Sequence, residues 1–500
     1  TIIVVLVFAV VIPHAMHAAV AGSCLDISAV SLSQPKNDSV VVAYTARLSH
    51  AGSFPATLHG LRLAIAFRGS HLGDLDVGDV HVSGGAAVVE RTDTLVPDPV
   101  VFSAFGQALV NDSAVVWQVA GTPRVCVLAG LYCRSISLTK DITLPAFGGL
   151  ADVSMLVFDM DHSTPHAVVL NLVINIYNPS VVTIDPLGDL FFGIYYQDVL
   201  MGHVVARNVV LVAHSYNHVA LSGVFNPQDT VLGAEVISAY LRGDNVTVSS
   251  RAASTGIVCS QHLYNDALHG LSIDTLLIGN KTALIAGVTY SSLAVSVDAA
   301  APNTAVALNA AASMAIVNPL GANSPCTVHA ATFTAALTDA SGTVLGTLTT
   351  PWTPTAMPNP TTVALDIATS LIFPLHSDGT AFAAWVSCFV DAPQISLTLT
   401  GTASVNATLA AGTMILASLP FDVAIPLTGF GGFTAPGATR VISFSLPGNA
   451  PTGGVMLDID AELTNPSVAS FDLGSVDLGV FHPSGARLGS VPVGSLAMTP

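Results

Sequence analysis

From Leu170 to Tyr177 apolar and polar side chains alternate. Leu170, Leu172, Ile174 and Ile176 fall on one face, Asn171, Val173, Asn175 and Tyr177 on the other. Period two with one polar face predicts a half-buried β-strand. The same register returns before Asn465, with Leu457, Ile459, Ala461 and Leu463 inward and Asp458, Asp460, Glu462 and Thr464 outward. Both strands end on one triplet, Asn178-Pro179-Ser180 and, 287 residues later, Asn465-Pro466-Ser467. Proline has no N–H to give to a ladder, and Asn and Ser side chains bond to backbone in turns. The triplet therefore predicts a strand terminus rather than a ligand contact.

The repetition continues on both sides of the triplet. Gly188 is matched by Gly474 and Gly202 by Gly489, while AFGGL from Ala146 is answered by GFGGF from Gly429. A third copy carries Asn318-Pro319 and Gly346; a fourth, near the start, has His50 in place of Asn and is phased by Gly73. A short helical stretch leading into a strand follows three of the copies. In GAEVISAYLRGDNVTVSSRA, Val236, Ile237, Tyr240 and Leu241 recur at helical spacing until Asp244-Asn245 breaks the pattern.

Gly, Pro and Ala cluster near Gly149, Pro302 and Gly432 and mark boundaries there. The chain divides into a leading segment 1–22 and modules 23–149, 150–302, 303–432 and 433–500, the last incomplete. Regularly spaced strands with turn signals between them predict an all-β protein of tandem immunoglobulin/fibronectin-like β-sandwiches, each with one short helix.

The leading segment is apolar and without charge from Thr1 to Gly22, which predicts a transmembrane anchor or a signal segment. Everything after it then lies on one side of a membrane, in a lumen or outside the cell. Glycosylation sequons at Asn37, Asn111, Asn245, Asn280 and Asn406 fit that side. Six Cys suit an oxidising compartment and leave the connectivity open. A bridge between Cys326 and Cys388 is expected.

Charged residues make up 9% of the chain, against roughly 25% in ordinary globular domains. The net charge of −18 gives no footprint for nucleic acid or anionic lipid headgroups. No nucleophile elbow, phosphate loop or H-E-x-x-H is present, so no enzyme and no cofactor is expected. Asp159, Asp161, His162 and His166 resemble a cation site, but the equivalent linker of the fourth module has none of these groups. His214 and His218 share a strand face and are too few for a metal, so no metal is expected. In the third module the outward positions Ala311, Ser313, Ala315 and Val317 leave a strand nearly apolar on both faces. Such a face calls for a lipid or another module as cover.

The strand ending in Asn178-Pro179-Ser180, its echo at Asn465-Pro466-Ser467, Asn318-Pro319, the paired glycines and the later helix-then-strand resemble the late embryogenesis abundant type 2 domain, also called the water-stress and hypersensitive-response domain. The serial arrangement behind an apolar leading segment is similar to fungal vacuolar-membrane proteins carrying such domains in tandem. The resemblance implies a fibronectin-like sandwich, a luminal position and no catalysis. For some relatives it also implies a lipid-binding groove or a part in ending autophagy. The expected function is a membrane-anchored luminal or extracellular scaffold that binds luminal proteins. Lipid binding or transfer, and a secreted stress-protective or adhesive role, are the alternatives.

Overall fold

The structure, a computed structural model, describes residues 10–499 apart from 53, 161, 298–304, 322–323, 341, 373–386, 388, 450, 452, 473–474 and 495. The protein is mostly β and forms two compact units. The first holds most of the chain up to Ile278; the second holds the chain from Gly279 onward together with 161–168 and Thr230–Asp244.

One order of elements recurs. In the first copy the hairpin Cys24–Ser33 and Val40–Ser49 is followed by the hairpin Ala56–Phe67 and Ser70–Val82, then by the strand Ala87–Leu95. A helix, Pro99–Asn111, and the paired strands Ala114–Gly121 and Leu138–Pro145 complete it. The second copy repeats the series from Val153–Asp159 to Ser272–Leu277, with the helix Thr230–Arg242 in the same place. The third opens with Ile285–Val297 paired to Ala305–Ile316, strands on either side of Pro302, which itself lies outside the described residues. The fourth begins with Thr439–Asn449 paired to Val455–Leu463.

Local chemistry explains the elements. Asp98 caps the helix Pro99–Asn111 by accepting from the Val100 and Val101 N–H groups, both at 3.0 Å, and Pro99 sits where a missing N–H costs nothing. In Val168–Asn178 every second residue is buried, in the phase the alternation predicts. The fourth copy keeps the phase but not the burial. Leu457, Ile459 and Leu463 are half-buried, Ala461 is exposed, and the partner strand Thr439–Asn449 is exposed along its whole length.

The Asn-Pro-Ser triplet is a joint. Asn178 is fully buried; its Nδ2 donates to Val182 O at 2.9 Å, and its Oδ1 accepts from the Ser180 N–H at 2.9 Å and the Ser180 hydroxyl at 2.7 Å. Ser180 Oγ in turn accepts from the Val182 N–H. The chain so turned pairs in parallel with the opening strand of the preceding copy, Val182–Asp185 against Val30–Ser33. In the second unit Asn465 donates to Ala469 O at 2.7 Å and Ser467 Oγ accepts from the Ala469 N–H. There Ala469–Asp472 runs parallel to Leu293–Ser296. Asn318 makes the shorter version, donating to Ser324 O and accepting from the Leu320 N–H. His50 makes no such turn; it has φ +57°.

The leading segment is described only from Val10 onward. Its described part folds as α1, Ile12–Gly22, 11 residues long. That is about 16 Å, half of the roughly 30 Å of a bilayer core. Among the described residues no helix is long and apolar enough to cross a membrane.

Asn178→Ala removes three hydrogen bonds at a fully buried turn and should lower the stability of its unit by about 2–3 kcal/mol, whereas Asn465→Ala, at a half-exposed turn, should cost about 1 kcal/mol. Urea titration of the two variants measures this. Equal losses below about 0.5 kcal/mol would mean that the triplet is not what holds the joint.

Candidate functional site: an apolar cavity in the first sandwich

The two sheets of the first copy face each other through alternate side chains. In Val40–Ser49 the inward positions include Val42, Tyr44 and Ala46; in Ala114–Gly121 they are Val115, Trp117 and Val119. Small residues such as Ala46 and Ala56 leave the gap unfilled, and a cavity of about 510 Å³ lies between the sheets. No residue lining it is charged. Ala15, Met16, Ala19 and Val20 of α1 form one wall. Lys140 fixes the C-terminal end of that helix, donating to Ala21 O at 2.8 Å and Ser23 O at 2.6 Å, as a cation suits the carbonyl end of a helix.

The aromatic residues Tyr44 and Trp117 also line the cavity. Tyr44 Oη and Trp117 Nε1 are buried and meet no hydrogen-bond partner in the protein. Burial, reinforced by Asp93, pushes the Tyr44 hydroxyl up to about 12, so it stays neutral. The second copy, built on the same order of strands, has a cavity of about 50 Å³ lined by Phe147, Leu150, Leu190 and Phe192 among other residues. In the third copy two cavities measure about 90 and 80 Å³.

The residues singled out from sequence fall elsewhere. Asn178, Ser180, Asn318, Asn465 and Ser467 make turns, as above. Gly188 has φ +104° and lies against Ser260 and Gln261; Gly202 packs so closely on Val224 O that no side chain fits. Gly346 and Gly489 lie in strands opposite Leu337 and Val480, and Gly474 lies outside the described residues. Ala311 is half-buried, and Ala315 and Val317 are exposed, on the outer face predicted for them. Of these three, Val317 borders the cavity of about 80 Å³ in the third copy. Among the described residues no three His, Cys, Asp or Glu side chains converge as metal ligands.

Asn37, Asn111, Asn245 and Asn280 are exposed, while Asn406 is half-buried within Gln394–Leu409. Cys126 and Cys133 form a disulfide across the pair Arg124–Val127 and Tyr132–Ser135, a bridge the spacing alone did not single out. Cys326 is a half-buried free thiol raised by burial, and Cys388 lies outside the described residues. The cavity itself was missed. Its signal was a lone Tyr44, with Ala46, on the inward face of a strand.

A family described as protein of unknown function (DUF3712) matches residues 70–193 and 350–480, about half of the chain. Each match runs from the middle of one sandwich, through the triplet, into the parallel strand of the next. No match was found among curated proteins. Among solved structures the chain is similar to a protein from Archaeoglobus fulgidus, at 10% identity over 25% of this chain and 95% of the other, TM-score 0.17. It is also similar to domains A168–A170 of titin (10% identity, 81% and 98% covered, TM-score 0.17) and to a β-glucuronidase from glycoside hydrolase family 2 (11%, 54% and 26%, TM-score 0.17). Scores this low carry neither fold nor activity to this chain.

Thiol reactivity should follow exposure. Without reduction at pH 8, iodoacetamide should label exposed Cys24 first and Cys326 more slowly. It should leave Cys259 untouched, because that thiol is buried and pushed up to about 11. Peptide mass spectrometry reads the order, and labelling of Cys126 or Cys133 before reduction would contradict the bridge.

Proposed function

We propose, for a chain that belongs to the DUF3712 family of proteins of unknown function, a non-enzymatic binding role in which the first β-sandwich holds an apolar ligand such as a lipid acyl chain. The observation that carries this reading is the uncharged 510 Å³ cavity. It lies in the range of small-molecule sites, roughly 300–1,000 Å³. At roughly 24 cal/mol per Å³ an unfilled space of that size would cost on the order of 12 kcal/mol. The whole net stability of a domain is only about 5–15 kcal/mol. A hydrocarbon ligand relieves that cost by restoring contacts to the lining. At roughly 30 Å³ per water-sized group there is room for on the order of 17 heavy atoms, the size of one long acyl chain.

A luminal or extracellular setting is part of the reading. The Cys126–Cys133 bridge fits an oxidising compartment, and four of the five sequon asparagines are exposed. The recurring order of two hairpins, strand, helix and paired strands supports the likeness to the late embryogenesis abundant type 2 domain. Scaffolding of luminal proteins is the second reading. It is favoured by the hairpin Thr439–Asn449 and Val455–Leu463, where Val441, Phe444, Leu446 and Val455 are exposed.

Native mass spectrometry of the full chain should reveal a co-purified apolar molecule, and the protein should take up tritiated hexadecanol delivered from cyclodextrin. Ala46→Phe, which puts a ring into the cavity, should cut uptake at least about tenfold without lowering the melting temperature. A bare protein mass together with no uptake sinks the reading.

A further inference from the structure

The mouth of the cavity is built from residues that both line it and stand in solvent. Val11, already helical just ahead of α1, Phe54 and Leu128 line the interior, yet they are 52%, 65% and 42% exposed. Two more apolar side chains extend this rim outward. Val10 precedes Val11 and is 57% exposed. Leu131, 81% exposed, is tied to Leu128 through its N–H to Leu128 O at 3.3 Å. The loop that carries Leu128 and Leu131 is a turn with positive φ at Leu128, Ala129 and Gly130, closed at its base by the Cys126–Cys133 bridge. A protein that only had to hide a ligand would have no reason to fix a leucine at the tip of a stapled loop, in water.

We propose that this rim docks on the surface of an uncharged lipid bilayer and that the cavity takes its occupant directly from the membrane. The inference rests on the reading of the cavity as an acyl-chain site. Charge selects the partner. In a chain with 32 acidic and 14 basic residues, neither the lining nor the five rim residues carry a charge. Hydrocarbon is the complement of such a surface. The net charge of −18 disfavours approach to an anionic membrane, so the fitting surface is zwitterionic. The rim is also continuous with the lining: a chain leaving the bilayer past Phe54 and Leu128 meets apolar side chains all the way inward. A protein seated on the same rim would cover it but would bring nothing for the space behind.

The test uses the full chain, phosphatidylcholine vesicles loaded with tritiated hexadecanol, and the double variant Val10→Asp with Leu131→Asp. Neither substituted residue lines the cavity, and both face solvent. The wild type should float with the vesicles and extract hexadecanol from them. The variant should lose flotation by about tenfold or more and lose extraction with it, as expected when two apolar side chains no longer enter hydrocarbon. It should still take up hexadecanol delivered from cyclodextrin. Extraction by the variant at the wild-type rate, or stronger flotation of the wild type with phosphatidylserine vesicles than with phosphatidylcholine, overturns the docking proposal. Wild-type uptake from cyclodextrin without flotation on phosphatidylcholine also overturns it and leaves the cavity reading intact. No uptake from either source defeats both.

Discussion

Two β-sheets packed face to face leave a layer about 10 Å thick that something must fill. Much in this protein follows from how each copy meets that demand. The second sandwich does so with bulky side chains, Leu190 and Phe192 of its own and Phe147 and Leu150 of the segment just before it, around a cavity of about 50 Å³. The first places alanines at Ala46 and Ala56 and lets a helix with Ala15 and Ala19 serve as a wall, so the gap stays open at about 510 Å³. One order of strands therefore gives a packed core in one copy and a container in another. The difference lies in side-chain volume, not in topology.

The second constraint is the link between copies. A strand that must leave one hairpin and join the edge of the preceding sandwich in parallel needs a turn whose polar groups are satisfied without water. Asn178 supplies both halves of that requirement, donating to Val182 O and accepting from Ser180, and Asn465 repeats it with Ala469 and Ser467. The hydrogen bond from the Val30 N–H to Val181 O has its counterpart from Leu293 to Val468. The family match begins and ends inside sandwiches and spans this link both times. The repeated unit is thus the joint with its two flanking halves.

Much of this was legible in sequence because its physics is local. Strand phase follows from the period of two, and the triplet announces its turn through the missing N–H of Pro179 and the side-chain chemistry of Asn178 and Ser180. The helices Pro99–Asn111 and Thr230–Arg242 stand where apolar spacing changes from two to helical. Burial in the fourth copy was not legible. Leu457 and Ile459 carry the inward pattern, but whether an inward face is covered depends on residues far away in the chain. The cavity was hidden for the same reason. It is a deficit of volume summed over strands distant in sequence, and no single residue reports it. Ala311, Ala315 and Val317 stand out in sequence instead, because apolarity on an outer face shows one strand at a time.

The leading segment shows how one composition answers two demands. An uncharged apolar run satisfies a bilayer and an apolar cavity equally well, because each asks only that no charge be buried unpaired. The eleven residues of α1 suffice to cover the open side of a sandwich, with Met16 buried against it and Lys140 holding the far end. A lid made of alanine, with few large side chains, rests on the sheets without filling the space beneath them. The absence of charge that reads as membrane in the sequence is also what a wall of the cavity requires.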